Sequence, residues 1–144
     1  MRMQARAASL ATRPGAAGSV WTRRAWMRLA AASGGCAIAI WLWTNLADPA
    51  PGMPHVRIAA QLQLVHAMTC FASATFMNLG ALKARFAPPC FLSGSFCLCG
   101  SLYLPSRLHS PLTSGIALLG VALLLTGWSV LIVASGAIDR QRPE

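Results

Sequence analysis

The sequence predicts an all-α integral membrane protein, a four-helix bundle in a lipid bilayer with N-terminus and C-terminus both cytoplasmic. Three observations carry that prediction. Hydrophobic residues make up 56% of the chain and charged residues only 10%, against about 25% charged in soluble domains. Four stretches free of Lys, Arg, Asp and Glu each reach the roughly 20 apolar residues that a spanning helix needs. The basic residues, finally, fall unevenly between the two ends of those stretches.

At 144 residues the chain makes one compact unit. Residues 1–25 are rich in Ala, Arg and Ser, contain no acid, and carry Pro14-Gly15 and Gly18-Ser19 as breakers. They read as a disordered basic tail. The transmembrane domain follows over 26–138, with helices expected at about 27–47, 58–82, 88–105 and 112–136, and a polar tail at 139–144.

The uncharged stretches run Leu29 to Ala47, Ile58 to Leu82, Phe86 to Ser106 and Leu108 to Ile138. Each must be helical, because backbone amides in hydrocarbon have no water to bond and must satisfy one another within the segment. The strict alternation of a barrel strand is absent. Asp48 to Pro54, with three prolines, reads as the first loop, and Lys83-Ala84-Arg85 as the second turn. Pro88 and Pro89 suit the first turn of the third helix, and Pro105 and Pro111 bracket the third connection.

Orientation follows from the positive-inside bias. With the N-terminus inside, Arg2, Arg6, Arg13, Arg23, Arg24, Arg28, Lys83, Arg85, Arg140 and Arg142 are cytoplasmic, leaving only Arg57 and Arg107 outside. Trp26, Trp41, Trp43 and Tyr103 lie near helix ends, as interfacial anchors do. Thr22-Arg23-Arg24-Ala25-Trp26-Met27-Arg28 also resembles a twin-arginine export motif, and Ser33-Gly34-Gly35-Cys36 faintly resembles a lipoprotein cleavage site. Either would remove the first helix. An arginine pair before a first transmembrane helix is common, so an uncleaved helix is the reading adopted.

The formal net charge of +9 would suggest nucleic acid as a partner of a soluble domain. Here the charges lie between and beyond the apolar runs, which suits anionic headgroups, so the bilayer is the expected partner and nucleic acid is not. The five cysteines are an odd number, scattered through apolar segments. They form no disulfide framework and no zinc pattern.

Helices in lipid associate through small residues and shared polar groups. Ala31, Gly35 and Ala39 in the first helix, Ser93, Cys97 and Ser101 in the third, and Gly120 and Gly127 in the fourth are spaced to form packing faces. The second helix is the most polar. Gln63, His66, Cys70, Ser73 and Met77 share one inward face with Asn78 beside it. A neutral His66 and Gln63 read as interhelical hydrogen-bonding groups; the sharper alternatives are a proton relay or a haem ligand. His55 and His109 lie in outer-side loops, so a haem held between two histidines would need a dimer.

No catalytic, cofactor-binding or metal-ligating constellation occurs: no acid lies within a span, and there is neither a Cys-x-x-Cys pattern nor a phosphate-binding glycine loop. No cofactor is expected.

From about Arg28 to Gly136 the chain resembles the YgdD-like inner-membrane proteins, the domain-of-unknown-function 423 family. The resemblance rests on a small-residue first helix, Leu64-Val65-His66-Ala67, Gly100-Ser101-Leu102-Tyr103, and Gly127-Trp128. The family's Gly-Ala-Phe-Gly-Ala-His end of the first helix is here Ile40-Trp41-Leu42-Trp43-Thr44-Asn45, and its Thr-Pro-x-Gly-Gly is here Ala117-Leu118-Leu119-Gly120-Val121. The match is that of a divergent member. It implies a small four-helix protein of the bacterial inner membrane and no established reaction. The expected role is a non-enzymatic structural or interaction component, forming a homo-oligomer or binding another membrane protein. The alternative is an oligomeric transporter or channel whose path is lined by Gln63, His66, Ser73 and Asn78.

Overall fold

The computed structural model describes residues 23–46, 53–105, 108, 110–136 and 138. Within them every regular element is helical: α1 (Arg23–Leu46), α2 (Met53–Asn78), a short 3₁₀ helix (Leu82–Phe86), α3 (Ala87–Tyr103) and α4 (Pro111–Ser135). Of the tail expected over 1–25, Arg23, Arg24 and Ala25 instead form the first turn of α1; residues 1–22, the tail 139–144, the loop residues 48–52, Arg107 and His109 lie outside the described residues.

Helix ends follow local chemistry. α4 opens with a capping box: the Ser110 hydroxyl accepts from the Thr113 amide, Thr113 Oγ1 accepts from the Ser110 amide, and Pro111 occupies the first turn. Met53 and Pro54, expected in the first loop, instead begin α2, where a proline in the first turn has no amide to waste. At its other end α2 stops four residues short of the expected Leu82. Gly80 adopts φ 94°, and the bonds Ala81 N to Phe76 O (3.0 Å) and Gly80 N to Met77 O (3.2 Å) close a Schellman cap. The 3₁₀ helix follows, with Ala81, Ala84 and Ala87 all buried. Their three-residue spacing matches the 3.0-residue turn of that helix and gives it one smooth side to lay on α2 and α4.

The helices run antiparallel in series. Thr44 meets Arg57 and Ser33 meets Gln63 between α1 and α2; Phe91 meets His66 between α3 and α2; Gly94 meets Gly120 and Phe91 meets Gly127 between α3 and α4. α2 and α4 barely touch, and α1 and α4 make no substantial contact. The arrangement is therefore a folded row rather than a closed ring of four.

The residues enclosed by this row are mostly small. Ala30, Ala37, Ala60, Ala67, Ala74 and Ala134 are buried, with Phe91 (0% exposed), Leu124, Leu131 and His66 as larger buried residues among the described residues. Large apolar side chains point outward, among them Phe96 at 82%, Leu112 at 73% and Ile132 at 71% exposed. α1, from Arg24, and α4 are long and apolar enough to cross a membrane, and only 22% of either's most apolar window is buried. α2 carries Arg57, Gln61, Gln63 and His66, and α3 has 17 residues, about 25 Å of helix.

Candidate functional site

The polar groups of the interior gather where α1, α2 and α3 meet. The Gln63 amide nitrogen donates to the Ser33 carbonyl (3.0 Å) and Ser33 Oγ (3.1 Å), and its oxygen accepts from the Tyr103 hydroxyl at 2.6 Å. One side chain thus ties three helices, each polar atom engaged, as an apolar surrounding demands. These groups border a cavity of about 390 Å³ whose other walls include Trp26, Leu92, Phe96 and Cys99. Ser95 lines it too. Its hydroxyl is buried with no hydrogen-bond partner, whereas Ser73, Ser93, Ser101 and Ser129 donate back to their own helices.

His66 lies one turn farther along α2, 8% exposed. Its Nδ1 sits 2.7 Å from the Leu62 carbonyl; a carbonyl only accepts, so Nδ1 bears the proton in this contact. The ring lies 5.9 Å from that of Phe91, which meets Trp128 edge-on at 5.5 Å. Phe91 is thereby the hub of an aromatic stack joining α2, α3 and α4.

The four polar residues expected on one path are dispersed. Gln63 faces the cavity, His66 packs beside Phe91, Ser73 is fully enclosed and bonded to Thr69 O at 3.0 Å, and Asn78 is exposed at the C-terminal end of α2. His55 is exposed in the first turn of α2 and does not approach His66. Among the described residues no three His, Cys, Asp or Glu side chains cluster as a metal site, and all five cysteines are free. No known protein family, characterised protein or solved structure matches this chain.

The small-residue faces need correction in two helices. Ala31, Gly35 and Ala39 are exposed, and nothing lies within 4 Å of where a Gly35 Cβ would stand. α1 packs instead through Ala30, Gly34, Ala37 and Thr44, the adjacent row, because Gln63 fixes Ser33 and Ala67 fills the space over Gly34. In α3, Ser93 is exposed, Cys97 half-buried and Ser101 buried. The close approach to α4 runs through Gly94 and Leu98. Gly120 and Gly127 do face α3: a Cβ on Gly120 would lie 2.6 Å from Leu98 N, and one on Gly127 2.8 Å from the Phe91 ring.

Sequence reasoning missed Ser33, Ser95 and the role of Tyr103, expected only as an anchor. Hydroxyls on α1 and α3 facing the Gln63 amide of α2 were the available signal; their convergence depends on contacts between residues 30 and 40 apart that no local pattern encodes.

Proposed function

We propose that the chain is a non-enzymatic, multi-pass component of the bacterial inner membrane, crossing four times with both termini cytoplasmic and acting through structure or partner binding. One observation carries this reading: small residues inside and large apolar ones outside, with α4 at mean hydropathy 2.5 yet only 22% buried. A water-soluble fold would turn that helix inward. In lipid the distribution is favourable, because association there draws on close packing and shared polar groups.

The antiparallel order supports the topology. It brings Arg24, Arg28, Lys83 and Arg85 to one end of the row and Arg57 to the other, in line with the ten-to-two split of basic residues. α3 alone, about 25 Å long, falls short of the about 30 Å hydrocarbon core. Divergent membership of the YgdD-like family belongs to the same proposal. Its motif residues His66, Tyr103, Gly127 and Trp128 each engage α3 or a partner across it.

Topology mapping tests the reading. Alkaline phosphatase fused after Ala50 or Ser110 should be active, and a fluorescent protein fused after Glu144 should fluoresce. The untagged chain should resist alkaline carbonate extraction. Release by carbonate, or phosphatase activity from a fusion at Glu144, would refute the membrane reading or its orientation respectively.

A further inference from the structure

We infer that the groove between α2 and α4 is a binding site for one anionic phospholipid, its acyl chain in the groove and its phosphate beside Lys83 and Arg85. The inference rests on the membrane reading proposed above.

The two helices diverge and leave a groove of about 700 Å³, walled by Met68, Ala72 and Phe76 from α2 and by Trp128, Leu131 and Ser135 from α4. Its hydroxyls are already engaged: Thr69 donates to Val65 O at 2.9 Å and Ser135 to Ile132 O at 2.8 Å. These two hydroxyls are thus closed to a guest, and the walls offer it mainly apolar contact. Along α2 the groove runs from Leu64 to Phe76, about 18 Å at 1.5 Å per residue, close to the depth of one leaflet in a core of about 30 Å. That is the length of an extended acyl chain.

Charge selects the headgroup. At the Phe76–Ser135 end the 3₁₀ helix packs on both walls, with Ala84 buried in the cluster that contains Leu131 and Ala134. Lys83 and Arg85 flank that buried alanine and are exposed, and the Arg85 guanidinium lies 4.7 Å over the Phe86 ring. No acidic residue lies in α2, the 3₁₀ helix or α4, so nothing on these elements offsets the two cations. A phosphate with no compensating amine is the complement of that pair.

The test is native mass spectrometry of the detergent-purified full chain, titrated with phosphatidylglycerol or with phosphatidylcholine of the same acyl chains. One phosphatidylglycerol should bind roughly thirtyfold more tightly, as two basic residues at a headgroup predict. The double variant Lys83→Gln, Arg85→Gln should fall to the phosphatidylcholine level, and Ala72→Phe, at an exposed position within the groove, should reduce binding of both lipids. Equal retention of the two lipids by the unaltered chain, or a preference that survives the double variant, would overturn the site while leaving the membrane reading intact. A dimer that forms without lipid and is broken by Ala72→Phe would also overturn it, giving the groove to a second copy. Carbonate extraction of the chain would overturn both readings.

Discussion

The Tyr103 hydroxyl donates to the side-chain oxygen of Gln63 across 2.6 Å, joining residues 40 apart in sequence. Because the same amide also holds Ser33, loss of either partner is felt by α1 as well as by α3. Tyr103→Phe should lower stability by about 1 kcal/mol, within the 0.6 to 2 measured for such bonds in lipid. Thermal unfolding in detergent checks this. In a double-mutant cycle with Gln63→Leu the two losses should not add; full additivity would mean the contact contributes nothing.

Glycines in the two outermost helices of the row should respond with opposite signs. Gly120→Ala forces a methyl to within 2.6 Å of the Leu98 backbone nitrogen, an overpacking that costs about 1 to 3 kcal/mol. Gly35→Ala meets open space and should gain up to about 1 kcal/mol from helix propensity. Unfolding midpoints of the two variants, measured side by side, decide the register of α1: a loss at Gly35 would restore the row Ala31, Gly35, Ala39 as a packing face.

Gly127 and Phe91 should be coupled. A Cβ on Gly127 would press on the Phe91 ring at 2.8 Å, so Gly127→Ala should destabilise and Phe91→Leu, by vacating part of that space, should suppress the effect. The expected coupling is about 1 kcal/mol or more. Equal effects of Gly127→Ala in both backgrounds would show that α4 shifts instead.

Ser95→Ala should raise stability by about 1 kcal/mol, since a buried hydroxyl without a partner carries a desolvation cost that alanine removes. A decrease would reveal that water or a ligand in the adjoining cavity satisfies Ser95.

How far the sequence could be read depended on how many equivalent registers it offered. Gly120 and Gly127 stand among leucines, so the side of α4 that could approach a neighbour was unambiguous. α1 contains Ala30-Ala31-Ala32-Ser33-Gly34-Gly35, where two adjacent rows of small residues are locally indistinguishable. Gln63, a residue on another helix, makes the choice. The inward face of α2 was legible from the three- and four-residue steps that join Gln63, His66, Cys70 and Ser73. The 3₁₀ helix was not: Ala81, Ala84 and Ala87 gain meaning only at three residues per turn, and Gly80, the stop signal before them, was passed over within an apolar run.

The serial packing of the row bears on biosynthesis. Each helix packs chiefly on its immediate neighbours in sequence, so the average sequence separation of contacts is low. Each hairpin can dock as its second arm leaves the ribosome, with no early helix held exposed until the last one arrives.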